Sequence, residues 1–303
     1  MSQSFVINTP NSNIGRPLTL ALLAARQAVT IISRRPETVA DLVAHGANLV
    51  HGSIDDPATL DVAFAGADTV FWLTPPVYQP GYFAWVDQIT ALATQRLRHH
   101  GVTRAVVVSS MGAQHGPGSG PIGKLLSVED AFRAAVADVT VLRPAFFMEN
   151  LLQDLATIAA AGTIFSPLPT DRPMPWVATH DIGLKAAEIL LDRSWHGHQV
   201  RNIYGAVDLT WREVATILSE NLGRPVAYVE VSLDQAKQGM LDAGAPAFLV
   251  ELIGPMLAFL RDAQADSFDP RTPDATTATT LAEFSRTVLA PALAQVKTPA
   301  HAG

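Results

Sequence analysis

The sequence predicts an α/β fold, a doubly wound parallel sheet followed by a smaller, mainly helical C-terminal domain. Three observations carry this. Short apolar runs alternate with helical stretches through the first half of the chain. The turn after the first run ends in a glycine, Gly15, at which a helix begins. Beyond Glu149 the alternation stops and helical patterning dominates. Alternation of strand and helix implies parallel strands joined by right-handed crossovers.

Phe5-Val6-Ile7 is a buried-strand run, so the first strand is expected over 5–8. A helix over 17–26 follows, with Pro17 in the first turn, where its missing N–H costs nothing. Apolar runs predict further strands over 28–33, 48–51, 69–73, 105–109 and 140–143. Continuous runs such as Ala105-Val106-Val107-Val108 suit strands covered on both faces. Helices are expected between them over 36–45, 57–65, 83–99 and 124–137, the first two opening at Pro36 and Pro57. In the second half the spacing predicts helices over 150–161, 181–191, 211–221, 233–243, 247–264 and 281–289. Thr210 with Glu213, Ser232 with Gln235 and Thr280 with Glu283 have capping-box spacing. Residues 266–280, rich in Asp, Pro and Thr, read as a loop, and the tail from Lys297 as frayed. The implied division is a dinucleotide-binding-type domain over 1–150, to which 176–205 can return, and a smaller substrate or partner domain over 151–303.

Composition narrows the function. The chain has 303 residues, 48% hydrophobic and 16% charged, enough for a sizeable core. A net charge of −7 gives no electrostatic support for nucleic acid. Absence of cysteine excludes disulfides and thiolate chemistry. No signal-peptide pattern precedes the first strand, and the apolar run over 18–25 is too short to span a bilayer, so a cytoplasmic protein without membrane association is expected. The apolar helix over 246–260 is a candidate homodimer surface. Met240, Met256 and the aromatic residues Trp211, Phe248 and Phe259 are expected in the core of that half or lining a pocket.

A strand, a tight turn and a helix opening at glycine is the layout of a dinucleotide site, where pyrophosphate sits on N–H groups at the helix N-terminus. The usual fingerprint has three glycines. Only the last, Gly15, is present; Thr9 and Ser12 hold the other places. Ser12 either crowds the phosphate or donates its hydroxyl to it. Arg34 lies 19 positions after Gly15, where an acid would select NAD, and so favours the 2′-phosphate of NADP. Asp55 and Asp56 reach adenine or cap the helix at Pro57. Tyr78 and Tyr82, after Pro75-Pro76, can stack on or hydrogen-bond a substrate. Ser109 and Ser110 end the fifth strand, and His115 follows in a glycine-rich run as a candidate acid. His196-Gly197-His198 lacks a third ligand and reads as a turn, and no metal site is expected.

The order of several segments resembles the NmrA-like family of atypical short-chain dehydrogenase/reductase proteins over almost the whole chain. These are Asn13-Ile14-Gly15-Arg16-Pro17, Ser33-Arg34-Arg35-Pro36, Gly52-Ser53-Ile54-Asp55-Asp56-Pro57 and Leu73-Thr74-Pro75-Pro76, then Val108-Ser109-Ser110, the segment from Leu142 through Pro144, Phe147 and Met148 to Asn150, and Pro175-Trp176-Val177 before Asp181. The resemblance implies a Rossmann domain that binds NADP(H). It maps the glycine loop onto Thr9 to Gly15, with Asn11, Ser12, Asn13, Ile14 and Gly15 as its cofactor-binding residues, the 2′-phosphate arginine onto Arg34, and the ribose lysine onto Lys124. Nicotinamide would face Thr74, Pro75 and Phe147, with Ser109 also on the cofactor side. Relatives usually carry Asp where this chain has Ser53. The proton-donating Tyr of short-chain reductases is missing, since no Tyr lies between Tyr82 and Tyr204. Tyr78, His115, Lys124 or water would then serve the chemistry, with Tyr82, Ser110 and Asn150 against a small-molecule substrate. Three functions follow: an NADPH-dependent reductase of a conjugated, quinone-like or aromatic compound, a cofactor-free isomerase, lyase or hydrolase on the same fold, or a non-catalytic NADP(H)-sensing regulator.

Overall fold

A computed structural model describes residues 3–264 and 267–296; Asp266, where the predicted loop begins, and the tail from Lys297 fall outside the described residues. The described residues divide into two compact units, one of residues 3–117, 121–144 and 180–203, the other of 118–120, 145–179, 204–264 and 267–296.

The first unit is built on a parallel sheet. Its strands are β1 (Ser4–Ile7), β2 (Ala28–Ser33), β3 (Asn48–His51), β4 (Thr69–Leu73), β5 (Arg104–Val108), β6 (Asp138–Pro144) and a final strand, His198–Ile203. From one edge the order is His198–Ile203, β6, β5, β4, β1, β2, β3. The chain therefore builds outward from β1 to β3, then returns to β4 on the other side. Ile7 pairs with Ile31 of β2 and with Phe71 of β4, so strand order reverses at β1. Ligands of open α/β sheets bind outside the carboxyl ends of strands at such a reversal. Phe5, Val6, Ile7, Ile31, Val70, Phe71, Trp72 and Val106 are buried, as strands covered on both faces require. Trp72 meets Phe132 with ring centroids 5.7 Å apart.

The helices flanking this sheet differ from the sequence expectations mostly at their ends. α1 (Gly15–Ala24) starts two residues before Pro17. The stretch expected as one helix over 36–45 is a 3₁₀ turn, Pro36–Val39, followed by α2 (Ala40–Ala44). α3 (Pro57–Phe64) is capped by Asp56, whose carboxylate accepts from the Ala58 and Thr59 N–H groups. α4 (Tyr82–His99) and α5 (Pro121–Ala135) follow, α5 opening three residues before Lys124 at a proline, and a further helix, Thr179–Leu191, precedes the last strand.

The second unit mixes small sheets with helices. Phe146–Phe147, Met174–Val177 and Asp208–Leu209 form one sheet, and Thr163–Ser166 pairs in parallel with Ala227–Glu230. The longer helices are Trp211–Leu222, Leu233–Asp242 and Ala247–Asp262. The capping boxes at Thr210 and Ser232 form as the spacing predicted. The helix expected over 281–289 ends at Phe284 and continues as a π-helical turn, Ser285–Leu289. Trp211 is core: it stacks on Tyr228 at 4.7 Å and meets Trp176 edge-on at 4.9 Å.

In the same unit burial pushes the Asp154 carboxyl up to about 6. The native state then holds a proton that the unfolded chain releases near the ordinary carboxylate value. Stability should fall as pH rises through that window and level off above about 6. Asp154→Asn is expected to gain about 2 kcal/mol at pH 8, after allowance for partial exposure, and much less at pH 4.5. Urea denaturation of both proteins at the two pH values checks this; an equal gain at both would exclude Asp154 as the source.

Candidate functional site

At the carboxyl end of β1 the buried Asn8 ties two strands together. Its Nδ2 donates to the Leu73 carbonyl and its Oδ1 accepts from the Leu73 N–H, both at 2.9 Å. This pair fixes where the loops after β1 and β4 leave the sheet. Beyond it lies a cleft of about 380 Å³, within the size range of small-molecule sites. Its walls come from the loop after β1 (Asn8 to Ser12), the end of β2 with Arg34 and Arg35, the turn after β3 (Gly52 to Asp55), and Pro75, Val77, Gln79 and Trp85.

The loop after β1 is held by Ser12. Its Oγ donates to the Thr9 carbonyl at 2.9 Å and accepts from the Gly15 N–H at 2.8 Å. Its own N–H donates to the Thr9 carbonyl, and its carbonyl accepts from the Arg16 N–H. The side chain that stands in a glycine's place is thus folded into the loop. Gly15 is required by contact: a Cβ there would lie 2.0 Å from the Thr9 oxygen. The Asn13 and Ile14 N–H groups, just before the helix, have no partner among the described residues. The Thr9 and Thr74 hydroxyls are buried and likewise without partners. Arg16 binds Asp41, the Asn11 Oδ1 (2.6 Å) and the Thr38 carbonyl (2.8 Å), which locks the Asn11 side chain beside the cleft. The Arg34 and Arg35 side chains are exposed on the cleft and make no hydrogen bond or ion pair among the described residues.

Other expected residues are placed elsewhere in this unit. Ser109 is buried and donates to Glu129 Oε1 at 2.6 Å. Glu129, fully buried, also accepts from Arg143 (2.7 and 3.0 Å) and Arg133 (3.0 Å). Ser110 Oγ donates to the Met111 carbonyl at 3.1 Å. Lys124 is ion-paired with Asp87. Tyr82 is buried, its hydroxyl directed at the Pro75 carbonyl from 3.5 Å. Tyr78 packs edge-on against it at 5.1 Å, and burial holds both phenols above their ordinary value, hence protonated. None of these side chains lines the cleft, and neither does the exposed His115. Phe147 and Asn150, in the second unit, are half-buried, and their neighbour Glu149 accepts from the Thr179 N–H and hydroxyl.

Asn8, Val77, Gln79 and Trp85 escaped the sequence analysis. Asn8 had one legible signal, a polar residue directly after a buried strand. The other three had none, because Val77 and Gln79 reach the cleft through the turn before α4 and Trp85 from the first turn of that helix.

A model of the NmrA-like family matches residues 5–285. The chain is 30% identical over 247 residues to an NAD(P)H azoreductase of Xenophilus azovorans, covering 81% of this chain and 83% of that one. Its fold resembles that of an Escherichia coli NADPH-dependent quinone oxidoreductase solved with NADPH (TM-score 0.77, 18% identity, 93% of this chain and 98% of that one). It also resembles the Citrobacter sp. triphenylmethane reductase solved with NADP(H) (TM-score 0.74, 22% identity, 90% and 98%). Among the described residues no helix is long and apolar enough to cross a membrane.

Proposed function

The chain belongs to the NmrA-like family, and from that membership we propose that it is an NADPH-dependent reductase of small, planar, conjugated acceptors of the azo or quinone type. The observation that carries the reading is the pair of unpartnered guanidinium groups, Arg34 and Arg35, on a cleft at the strand-order reversal. The cleft's chemistry fits a dinucleotide. The Asn13 and Ile14 N–H groups and the positive end of α1 suit a pyrophosphate, the orphan Thr9 hydroxyl suits a polar group of a ligand, and Arg34 suits a 2′-phosphate.

When bound, NADPH supplies a hydride to the acceptor. The chain's own part is binding and orientation. Arg34 neutralises the phosphate that distinguishes NADPH from NADH, and the loop tied by Ser12 presents its free N–H groups in a fixed array. Tyr78 and Tyr82 are poor acids, because burial stabilises their neutral form. An acceptor whose reduced anion is delocalised needs little help from an enzyme acid. This favours quinone and azo compounds over simple ketones. The azoreductase relative supports the same substrate class.

The test is calorimetric titration with NADPH and NADH, followed by turnover assays with a quinone and an azo dye. Micromolar NADPH binding with oxidation by either acceptor is expected. Arg34→Ala should weaken NADPH roughly tenfold to a hundredfold, the worth of a charge-assisted hydrogen bond, and leave NADH unchanged. Binding without turnover would replace catalysis by a sensing role, and no binding at millimolar nucleotide would remove the dinucleotide reading altogether.

A further inference from the structure

On the first unit, away from the cleft residues, α3 and the end of α4 bring two histidines and a carboxylate together. Asp61 lies on α3; His99 is the last residue of α4 and His100 its cap. His100 Nε2 is 2.9 Å from Asp61 Oδ1, the two imidazole rings stand edge to face with centroids 4.8 Å apart, and one ligand atom from each of the three residues lies within 4.8 Å of the others. We propose that Asp61, His99 and His100 form a binding site for a divalent transition-metal ion of the zinc class.

Two imidazoles and one carboxylate are a donor set that such ions favour. Bonds of about 2.0–2.2 Å to a tetrahedral ion place donor atoms roughly 3.3–3.5 Å apart. The His100–Asp61 pair, 2.9 Å apart as a hydrogen bond, needs to open by only about half an ångström to reach it. His99 must move in, and it is exposed, with its imidazole making no hydrogen bond among the described residues. The fourth position faces solvent and would hold water. Asp61 and His100 are partly shielded, with 38% and 18% of their side chains exposed, so two of the ligands are held before the ion arrives. The negative end of the α4 dipole adds attraction for a cation. One group opposes it: Arg96, a turn earlier on α4, lies 3.5 Å from Asp61 Oδ2 and competes for the carboxylate. The site would staple α3 to the end of α4. Nothing in the sequence announced it, because Asp61 stands 38 positions before His99 and the adjacent histidines have no metal-motif spacing.

Arg96 makes the test specific. Tag-free protein stripped with a chelator is titrated with zinc chloride by calorimetry. One ion per chain should bind at micromolar affinity. His99→Gln and His100→Gln should each weaken it at least tenfold, and Arg96→Gln should tighten it several-fold by freeing Asp61. His196→Gln combined with His198→Gln should change nothing, since that pair lies elsewhere. Thermal melts of each variant without metal report whether it is folded. The proposal is overturned if zinc does not bind at 100 times micromolar concentration, if the His99 and His100 variants bind as the parent does, or if Arg96→Gln weakens binding in a folded protein.

Discussion

Glu129→Ala is expected to destabilise the fold by about 3–5 kcal/mol, the cost of leaving buried charge without its partner. Glu129 is fully buried, and its two oxygens receive Arg143, Arg133 and the Ser109 hydroxyl. Removing it strands the Arg143 guanidinium, only 10% exposed, inside the domain. It also frees Ser109 at the end of β5. Glu129→Gln should cost less, since one oxygen still accepts. Arg143→Met should cost comparably to Glu129→Ala, and the pair together should cost much less than the sum, because neither charge is then alone. Urea denaturation of the four proteins decides it. A loss below about 1 kcal/mol for Glu129→Ala would show the network to be relaxed by water rather than closed.

Gly15→Ala carries the next largest effect. The new methyl would sit 2.0 Å from the Thr9 carbonyl oxygen and 3.0 Å from Ser12 Oγ. Backbone on one side and a hydrogen-bonded hydroxyl on the other leave nowhere for it to go. The loop must open, breaking the Ser12 bonds to Thr9 and Gly15. A cost of about 2–3 kcal/mol is expected, in the range of overpacked cores. NADPH binding should be lost with it, since the Asn13 and Ile14 N–H groups are aimed by the same loop. Ser12→Gly is the informative companion. It removes the tie without the clash, so it should keep binding while raising the mobility of the loop in hydrogen exchange. Retention of full stability by Gly15→Ala would mean that the loop and α1 separate more easily than their contacts indicate.

The sheet was legible because its strands are continuous apolar runs and their separators contain prolines and glycines that permit little else. Strand ends were legible to within two residues, and so were the residues that stand at them, Ser12, Gly15 and Arg34. What Ser12 does was not. A hydroxyl in a glycine's place reads as a clash or a donor to ligand, and its turn back onto Thr9 and Gly15 depends on loop torsions that identity alone does not encode. The place of Ser109 after β5 makes it a cofactor neighbour only by the family resemblance. Its partner Glu129 lies 20 positions on, in the middle of α5, and no local pattern links them. The division of 36–45 into a 3₁₀ turn and a short helix was also hidden, since residue propensities hardly distinguish the two.

The Ser12 tie has a thermodynamic signature. A loop with three glycines is loose until phosphate orders it, so part of the interaction enthalpy is offset by lost backbone entropy. Here the loop is already closed by its own hydroxyl, and the Gly15 N–H is committed to Ser12 rather than to a ligand. Nucleotide association should therefore be less exothermic than in a glycine-rich relative, with a smaller entropic penalty. The two changes oppose each other in affinity and separate cleanly in a calorimeter.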